Sequence, residues 1–324
     1  MAKPKLAVYW AASCGGCDIA ILDIEEKLLA VADFFDLCFW PCAADFKYKD
    51  VEALPDGGIT LTLFNGAIRS SENYHIAKLL RQKSVVLCAF GSCAADGGIP
   101  SLANFYDLKS ITDYAYVKSP STDNPGGLIP QPRTKVPEGE LTIPTLWNTV
   151  RTLGQTVPVD VIIPGCPPQS DQIAAVVGVV IDILQHGKPL PPAGTVLGAT
   201  DKSCCDECKR KKDVKKITKF VRRFELAEVD PDICLMEQGM VCCGPATRGG
   251  CGAKCVNAGV PCRGCYGLPA GVHDHGAKLI SAIASVIDST DPAEIDRIIA
   301  TIPDPAGTFY RFSLAESMLR RAQG

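Results

Sequence analysis

The chain of 324 residues is long enough to bury a sizeable core and to form about two domains. Its hydrophobic content of 47% and charged content of 21% exclude a disordered chain, and its net charge of −3 argues against a dedicated nucleic-acid binder. No apolar stretch reaches the ~18 residues of a membrane span, and the start carries no export signal. We therefore expect a cytoplasmic protein without a membrane span.

Short apolar runs alternate with helical patterns in the first half of the chain. The predicted strands are residues 5–10, 36–40, 59–65, 85–90 and 159–164. The predicted helices are residues 18–35, 72–82, 145–153 and 170–185. Near-continuous apolar strands between helices are typical of a parallel sheet covered on both faces. The predicted fold class is therefore α/β, with a flavodoxin-like, doubly wound domain.

The pattern changes in two places. Residues 118–144 contain six prolines and no clear periodicity, which is typical of a functional or disordered loop. Pro189, Pro191 and Pro192 mark a domain boundary, so we predict a flavodoxin-like domain at 1–190 and a smaller, irregular, cysteine-rich domain at 191–324. Short helices are expected there at 276–288 and 293–301.

Cysteine is the most informative residue type. The chain has seventeen, and ten of them fall between Cys204 and Cys265. In a reducing cytosol such thiols more often bind metal or do redox work than form disulfides.

Four cysteines follow predicted strands of the first half: Cys14, Cys17, Cys93 and Cys166. The carboxyl ends of parallel strands share one edge of the sheet, where α/β sheets bind ligands. Four thiolates from three segments can hold one [4Fe–4S] cluster. A zinc site could use the same four thiols, and a thioredoxin-like redox pair would use only the first two.

The second half contains two further sets of thiols. One set lies within 15 glycine-rich residues and consists of Cys251, Cys255, Cys262 and Cys265. The other consists of Cys205, Cys208, Cys234 and either Cys242 or Cys243. Because these segments have little apolar content, we expect a metal centre to order them. The adjacent pairs Cys204–Cys205 and Cys242–Cys243 leave one member of each uncertain as a ligand.

Three clusters of four ligands account for twelve thiols, and several clusters in one chain predict an electron-transfer protein. The five cysteines assigned no cluster are Cys38, Cys42, Cys88, Cys204 and Cys243. Cys38 and Cys88 lie inside apolar strands, where burial as a small hydrophobe is the simpler interpretation.

These residues together resemble the small subunit of nickel–iron hydrogenases. The resemblance extends from the Cys14/Cys17 loop through Pro-Gly-Cys166-Pro to Pro-Cys262-x2-Cys265, and thus over most of the chain. Within that family the chain is most similar to the cytoplasmic, F420-non-reducing (methyl-viologen-reducing) type. Ser13 stands where many relatives carry a glutamate, which weakens any proton-relay role for this position.

The resemblance implies three [4Fe–4S] clusters in series and a Ni–Fe centre on a separate large subunit. The implied ligands are Cys14, Cys17, Cys93 and Cys166 (proximal), Cys251, Cys255, Cys262 and Cys265 (medial), and Cys205, Cys208, Cys234 and Cys242 (distal). It implies no catalytic residue in this chain. Its implied partners are the large subunit, a small iron–sulfur adaptor subunit and heterodisulfide reductase, whose flavin bifurcates the electrons in methanogens and some anaerobic bacteria.

Two positions differ from the exported, membrane-associated members of the family. Those enzymes have a histidine where Cys205 stands and a proline near Cys255, which leaves a three-iron medial cluster. An all-thiolate site carries more negative charge and therefore has a lower reduction potential.

Other functions stay open at this stage. The F420-reducing hydrogenases are the nearest alternative, because the acceptor site lies on another subunit. The cluster subunit of respiratory complex I shares the first domain but has a tandem cysteine pair and lacks the second cysteine-rich domain. Two functions of other classes also stay open: a free ferredoxin-like electron carrier without a hydrogenase partner, and a scaffold that is held together by zinc and has no redox function.

Residues 202–223 are rich in lysine and arginine and adjoin the implied distal ligands. Such a run is either a solvated face or a docking patch for an acidic acceptor subunit.

Overall fold

A computed structural model of the protein describes residues 3–213 and 217–320. Its strands are β1 (Lys5–Trp10), β2 (Asp36–Phe39), β3 (Ile59–Asn65), β4 (Ile68–Ser70), β5 (Ser84–Phe90), β6 (Arg133–Val136), β7 (Gly139–Thr142), β8 (Leu146–Arg151), β9 (Val161–Ile163) and β10 (Thr195–Val196). Its α-helices are α1 (Gly16–Leu22), α2 (Lys27–Phe34), α3 (Tyr48–Glu52), α4 (Ser71–Lys83), α5 (Ser92–Asp96), α6 (Leu108–Asp113), α7 (Ser170–His186), α8 (Lys254–Asn257), α9 (His275–Ala284), α10 (Pro292–Ile299) and α11 (Pro305–Phe309).

A six-stranded sheet organises the first half of the chain. Its order is β10–β9–β5–β3–β1–β2, and every neighbouring pair is parallel. Without the short edge strand β10, this is the 2-1-3-4-5 order of flavodoxin-like sheets. The winding direction reverses between β1 and β3, so the loops after these strands flank the crevice where such sheets bind ligands. The predicted doubly wound α/β fold is confirmed.

Both faces of the sheet are covered by helices. Leu6 and Val8 of β1 belong to the core that contains residues of α1, α2 and α7. Ala7 and Tyr9 point to the opposite face and belong to the core that contains residues of α3 and α4. Side chains alternate between the faces of a strand, so two buried faces require a continuous apolar run.

The cysteine-rich half has little regular structure and a core of its own. This core combines apolar residues such as Leu235, Met240 and Leu279 with buried cysteines such as Cys243. The edge strand β10 lies just beyond the boundary predicted at residue 190 and still pairs with β9.

Residues 310–317 return to the first half of the chain. The amide of Gly98 donates to the carbonyl of Phe312 over 3.1 Å. The side chain of Gln155 donates to the carbonyl of Ala315 over 2.7 Å. This segment therefore closes against the loop that follows Cys93.

The helix predicted at residues 145–153 is wrong. The segment forms β8, which pairs antiparallel with β4 through Ile68 opposite Arg151 and Ser70 opposite Leu146. The amide side chain of Asn104 bonds both the N–H and the C=O of Val150, at 2.8 and 2.9 Å. These tertiary partners favour the extended backbone.

Two further predictions are corrected. The helix predicted at 18–35 is divided into α1 and α2, because Glu25 in the connecting turn has a φ of 57°, which cannot continue a right-handed helix. The loop at 118–144 contains the exposed hairpin β6–β7. In the part of the chain that is described, no helix is long and apolar enough to cross a membrane.

Candidate iron–sulfur sites

The four thiols of the first half meet at one edge of the sheet. Cys14 lies in the turn between β1 and α1, and Cys17 lies in the first turn of α1. Cys93 lies in the first turn of α5 directly after β5, and Cys166 follows β9. Burial raises the pKa of Cys17, and the facing thiols of Cys93, Cys166 and Cys14 raise it further. Burial, then Cys166 and Cys14, also raise the pKa of Cys93, to about 12. Such thiols favour the neutral form until a bound cation supplies positive charge.

The backbone around these thiols leaves room for a bulky group. Gly91 has a φ of 85°, and a Cβ there would lie 2.4 Å from Sγ of Cys17. Gly98 has a φ of 54°, and a Cβ there would lie 2.6 Å from Sγ of Cys93. The hydroxyl of Ser92 is buried and has no hydrogen-bond partner among the described residues. Four soft donors, a glycine-lined cradle and an unpartnered donor fit an iron–sulfur cluster.

A buried carboxyl side chain, that of Asp18, lies beside Cys17 at the start of α1. Asp18 is 6% exposed and accepts hydrogen bonds from Nε1 of Trp40 at 2.8 Å and Nδ2 of Asn65 at 2.9 Å. Asn65 in turn accepts a bond from the Ser13 hydroxyl at 3.0 Å. This network ties the first cysteine loop to the end of β3. The sequence could not reveal it, because its members come from three separate segments.

The thiols of Cys251, Cys255, Cys262 and Cys265 also face one another. Electrostatic interactions connect Cys262 and Cys251 with both Cys255 and Cys265. Cys204, which the sequence left without a cluster, lies against two of them. It is buried in one core with Cys262, and the partly buried Cys251 packs against that core.

The remaining set lines a cavity of about 470 Å³. The cysteines in its wall are Cys204, Cys205, Cys208, Cys234 and Cys242, and Arg210 and Lys212 also line it. Burial raises the pKa of Cys205 to about 11; Lys212 opposes the rise, while the nearby thiols of Cys234 and Cys208 add to it. Cys205 therefore groups with Cys208 and Cys234 at this cavity, whose wall also contains Cys204. Cys243 is buried and does not line the cavity.

Two hydrogen bonds connect the three sets. The side-chain amide of Gln169, three residues after Cys166, donates to the carbonyl of Cys251 over 3.3 Å. The amide of Cys243, next to Cys242, donates to the carbonyl of Cys262 over 2.9 Å. The set at the sheet edge thus adjoins the glycine-rich set, which adjoins the cavity.

Glu207 fixes the second and third sets relative to each other. It stands between Cys205 and Cys208 in the chain, and its carboxylate accepts the amides of Gly250 at 2.5 Å and Gly252 at 2.9 Å. These amides flank Cys251. Sequence reasoning missed this residue, because one glutamate in a charged run carries no distinguishing signal.

Three cysteines lie apart from these sets. Cys38 and Cys88 are in β2 and β5, and Cys42 is exposed. Among the described residues, no group of three or more His, Cys, Asp or Glu side chains is arranged to hold a single metal ion.

Comparisons with known proteins define the class of the chain. Residues 14–180 match the family described as NADH ubiquinone oxidoreductase, 20 Kd subunit. The fold is similar to that of a chain in the H2-activated [NiFeSe]-hydrogenase of Dm. baculatum, with a TM-score of 0.51, 17% identity and coverage of 82% of this chain and 95% of that one. The two chains therefore share a fold.

The full-length relatives are more specific. The chain is 40% identical to the iron–sulfur subunit of the F420-non-reducing hydrogenase of Archaeoglobus profundus, over 98% of both chains. It is 36% identical to a subunit of the F420-non-reducing hydrogenase of Methanothermobacter marburgensis, over 98% of this chain and 96% of that one. The chain belongs to this family of F420-non-reducing hydrogenase subunits, the electron-transferring small subunits of these oxidoreductases. The family resemblance stated from the sequence is confirmed.

Proposed function

We propose that this chain holds three [4Fe–4S] clusters and relays electrons released from H2 in a [NiFe] large subunit. Their destination is a small iron–sulfur adaptor subunit and heterodisulfide reductase, in the cytoplasm. The observation that carries the proposal is a pair of hydrogen bonds between the sets: the side-chain amide of Gln169, three residues after Cys166, donates to the carbonyl of Cys251, and the amide of Cys243, next to Cys242, donates to the carbonyl of Cys262. Each connects one set of four thiols to the next, as a relay requires.

The proposed ligands are the three sets named above: Cys14, Cys17, Cys93 and Cys166; Cys251, Cys255, Cys262 and Cys265; and Cys205, Cys208, Cys234 and Cys242. A bound iron–sulfur cluster supplies one-electron redox chemistry. The protein residues hold it, exclude water from it and set its potential through charge and hydrogen bonds.

The surface at the sheet-edge set supports contact with the large subunit. Ile19 and Leu22 of α1, the helix that contains Cys17, are 57% and 48% exposed, and Trp10 at the end of β1 is 41% exposed. Exposed apolar groups beside a functional site are typical of a protein interface. Electrons would enter the chain here.

The opposite end of the relay has a different surface. Lys209, Lys211 and Lys212 are exposed beside the cavity lined by Cys205. Positive charge here favours an acidic acceptor subunit. Residues 214–216 of the basic run lie outside the described residues.

The complex I-like alternative has less support. Its family match ends at residue 180, and the cysteine-rich half, with two of the three thiol sets, lies beyond it.

Substitution of Cys205 by serine in the assembled complex tests the proposal. Hydrogen–deuterium exchange needs no external acceptor and should persist, while reduction of the natural acceptor should be lost. Cys42→Ser, which removes an exposed thiol outside the three sets, should leave both activities unchanged. If the Cys205→Ser complex reduced the acceptor at the normal rate, Cys205 would not be a cluster ligand. Loss of both activities in an intact complex would contradict the proposed order.

Purification distinguishes the remaining functions. A hydrogenase small subunit purifies with a nickel-containing chain, whereas a free carrier purifies alone. Reduction of F420 by the purified complex would favour the F420-reducing alternative.

A further inference from the structure

The buried side chain of Gln172, in the first turn of α7, holds the loop that contains Cys166 from both sides. Its Nε2 donates to the carbonyl of Pro164, before the cysteine, over 3.1 Å. Its Oε1 accepts the backbone amide of Gln169, after the cysteine, over 3.2 Å. A backbone N–H can only donate and a carbonyl can only accept, so these two bonds fix the orientation of the side-chain amide. Gly198 approaches so closely that a Cβ there would lie 2.5 Å from Cγ of Gln172, which leaves this side chain little room to move.

A third bond connects the same side chain with the cysteine-rich half. The phenol hydroxyl of Tyr266, the residue after Cys265, donates to Oε1 of Gln172 over 2.7 Å. Both side chains are buried, so the bond is made at low local dielectric, where it is stronger than in water. The two lone pairs of Oε1 are then both used. Gln172 therefore connects the loop of a proposed proximal ligand with the residue beside a proposed medial ligand.

Two other contacts join the start of α7 to the glycine-rich set, and both are weaker. The bond from Gln169 to the carbonyl of Cys251 is longer, at 3.3 Å, and only partly buried. The amino group of Lys254 lies 3.7 Å from the carboxylate of Asp171, but both side chains are exposed. Exposed ion pairs contribute little to stability. The buried phenol bond is therefore the strongest of the three links.

We propose that Gln172 and Tyr266 are positioning residues that set the spacing between the proximal and medial clusters. The proposal rests on the proposed function, because it needs clusters at the ligand sets of Cys166 and Cys265. Electron transfer between two cofactors slows steeply as the gap between them widens, so a bond that joins the two ligand loops controls the rate of this step. Both side chains are neutral, so they act on the spacing of the clusters and not on their potentials.

The test is the substitution Tyr266→Phe in the whole complex, which removes the hydroxyl and keeps the ring. A neutral hydrogen bond changes an equilibrium constant by about fivefold, so hydrogen exchange at the backbone amides of residues 262–266 should become about fivefold faster. In EPR spectra of the reduced complex, the magnetic interaction between the proximal and medial clusters should weaken, while both midpoint potentials stay unchanged. Gln172→Leu removes the acceptor and should weaken the same interaction.

Tyr310→Phe is the matched control. The phenol of Tyr310 is also buried, and it donates to Oδ1 of Asp274 over 2.9 Å, away from α7. This variant should leave the magnetic interaction between the two clusters unchanged.

Two results would overturn the proposal. One is an unchanged magnetic interaction in Tyr266→Phe, a variant that keeps the volume of the ring and decides the question even if Gln172→Leu fails to assemble. The other is an equal loss of the interaction in Tyr310→Phe, because any buried hydroxyl would then have the same effect. A failure of the proposed function is visible separately, since the unsubstituted complex would then show no interacting pair of reduced clusters.

Discussion

The backbone amide of Cys243 donates a hydrogen bond to the carbonyl of Cys262 over 2.9 Å. A second bond, from the side-chain amide of Gln169 to the carbonyl of Cys251 over 3.3 Å, joins the loop after Cys166 to the glycine-rich set. Each bond lies within three residues of a proposed ligand on both of its sides. Neighbouring sets of thiols are therefore joined by hydrogen bonds to backbone carbonyls.

Metal content provides the first prediction. Three sets of four thiols should give about twelve iron and twelve acid-labile sulfide per chain after anaerobic purification. The measurement is elemental analysis combined with a sulfide assay. Iron near eight, or zinc equivalent to one site, would contradict the assignment of three clusters.

Lys212 provides an electrostatic prediction. Its charge opposes the burial that raises the pKa of Cys205, so the two groups interact. Lys212→Glu should lower the midpoint reduction potential of the distal cluster and slow the reduction of the acceptor. Exposed charges are screened beyond ~8 Å at physiological ionic strength, so the salt dependence of kcat/KM should flatten.

Lys135→Glu is the matched control, because Lys135 is an equally exposed lysine in the hairpin β6–β7. If the salt dependence of kcat/KM in Lys212→Glu equalled that of the unsubstituted complex, the basic run would be a solvated face and not a docking patch.

Glu207 allows the coupling of two sites to be tested. Glu207→Gln keeps one carbonyl acceptor and loses both the charge and the second acceptor for the amides of Gly250 and Gly252. Hydrogen bonds to charged groups contribute about 1.5–3 kcal/mol, so the loop at Cys251 should loosen. We expect the medial cluster to release iron to a chelator faster and to have a higher midpoint reduction potential.

Glu225→Gln is the control, because Glu225 accepts an amide bond from Arg222 in an exposed turn. Equal rates of iron release in the two variants would mean that Glu207 does not brace Cys251.

Asp18 tests the charge beside the sheet-edge set. Asp18→Asn removes a buried negative charge next to Cys17, so the proximal midpoint should rise. One of the two donors, Trp40 or Asn65, loses its acceptor, and an unsatisfied buried donor costs about 1–3 kcal/mol in the free energy of unfolding. Redox titration and denaturant unfolding measure the two effects. Asp23→Asn, at the exposed C-terminal end of the same helix, should show neither effect. An unchanged midpoint potential of the proximal cluster in Asp18→Asn would exclude the charge effect.

The sheet was predictable from the sequence because strands buried on two faces need near-continuous apolar runs, as in β1 and β5. The positions of Cys93 and Cys166 followed, since the end of a parallel strand determines where the next residues lie. The segment 145–153 could not be placed, because its extended form depends on Asn104 and on β4. Local propensity is a weak guide where tertiary partners decide.

The roles within the cysteine-rich half were only partly predictable. Spacing separated the set around Cys251 from the set around Cys205. It could not separate Cys204 from Cys205, because adjacent residues have nearly the same spacing to every other ligand. In the fold both thiols line the cavity, and Cys204 is buried whereas Cys205 is half-buried.

The contact of residues 310–317 with the loop after Cys93 has a consequence for biosynthesis. The ribosome makes all four thiols of the sheet-edge set within the first 166 residues, yet the carbonyls of Phe312 and Ala315 that close this side of the fold are made much later. In a growing chain these thiols are therefore present before the residues that complete their surroundings have been synthesised. We expect maturation of this site to begin only after synthesis has passed Ala315, so that a prematurely terminated chain is left without its first cofactor and is open to degradation.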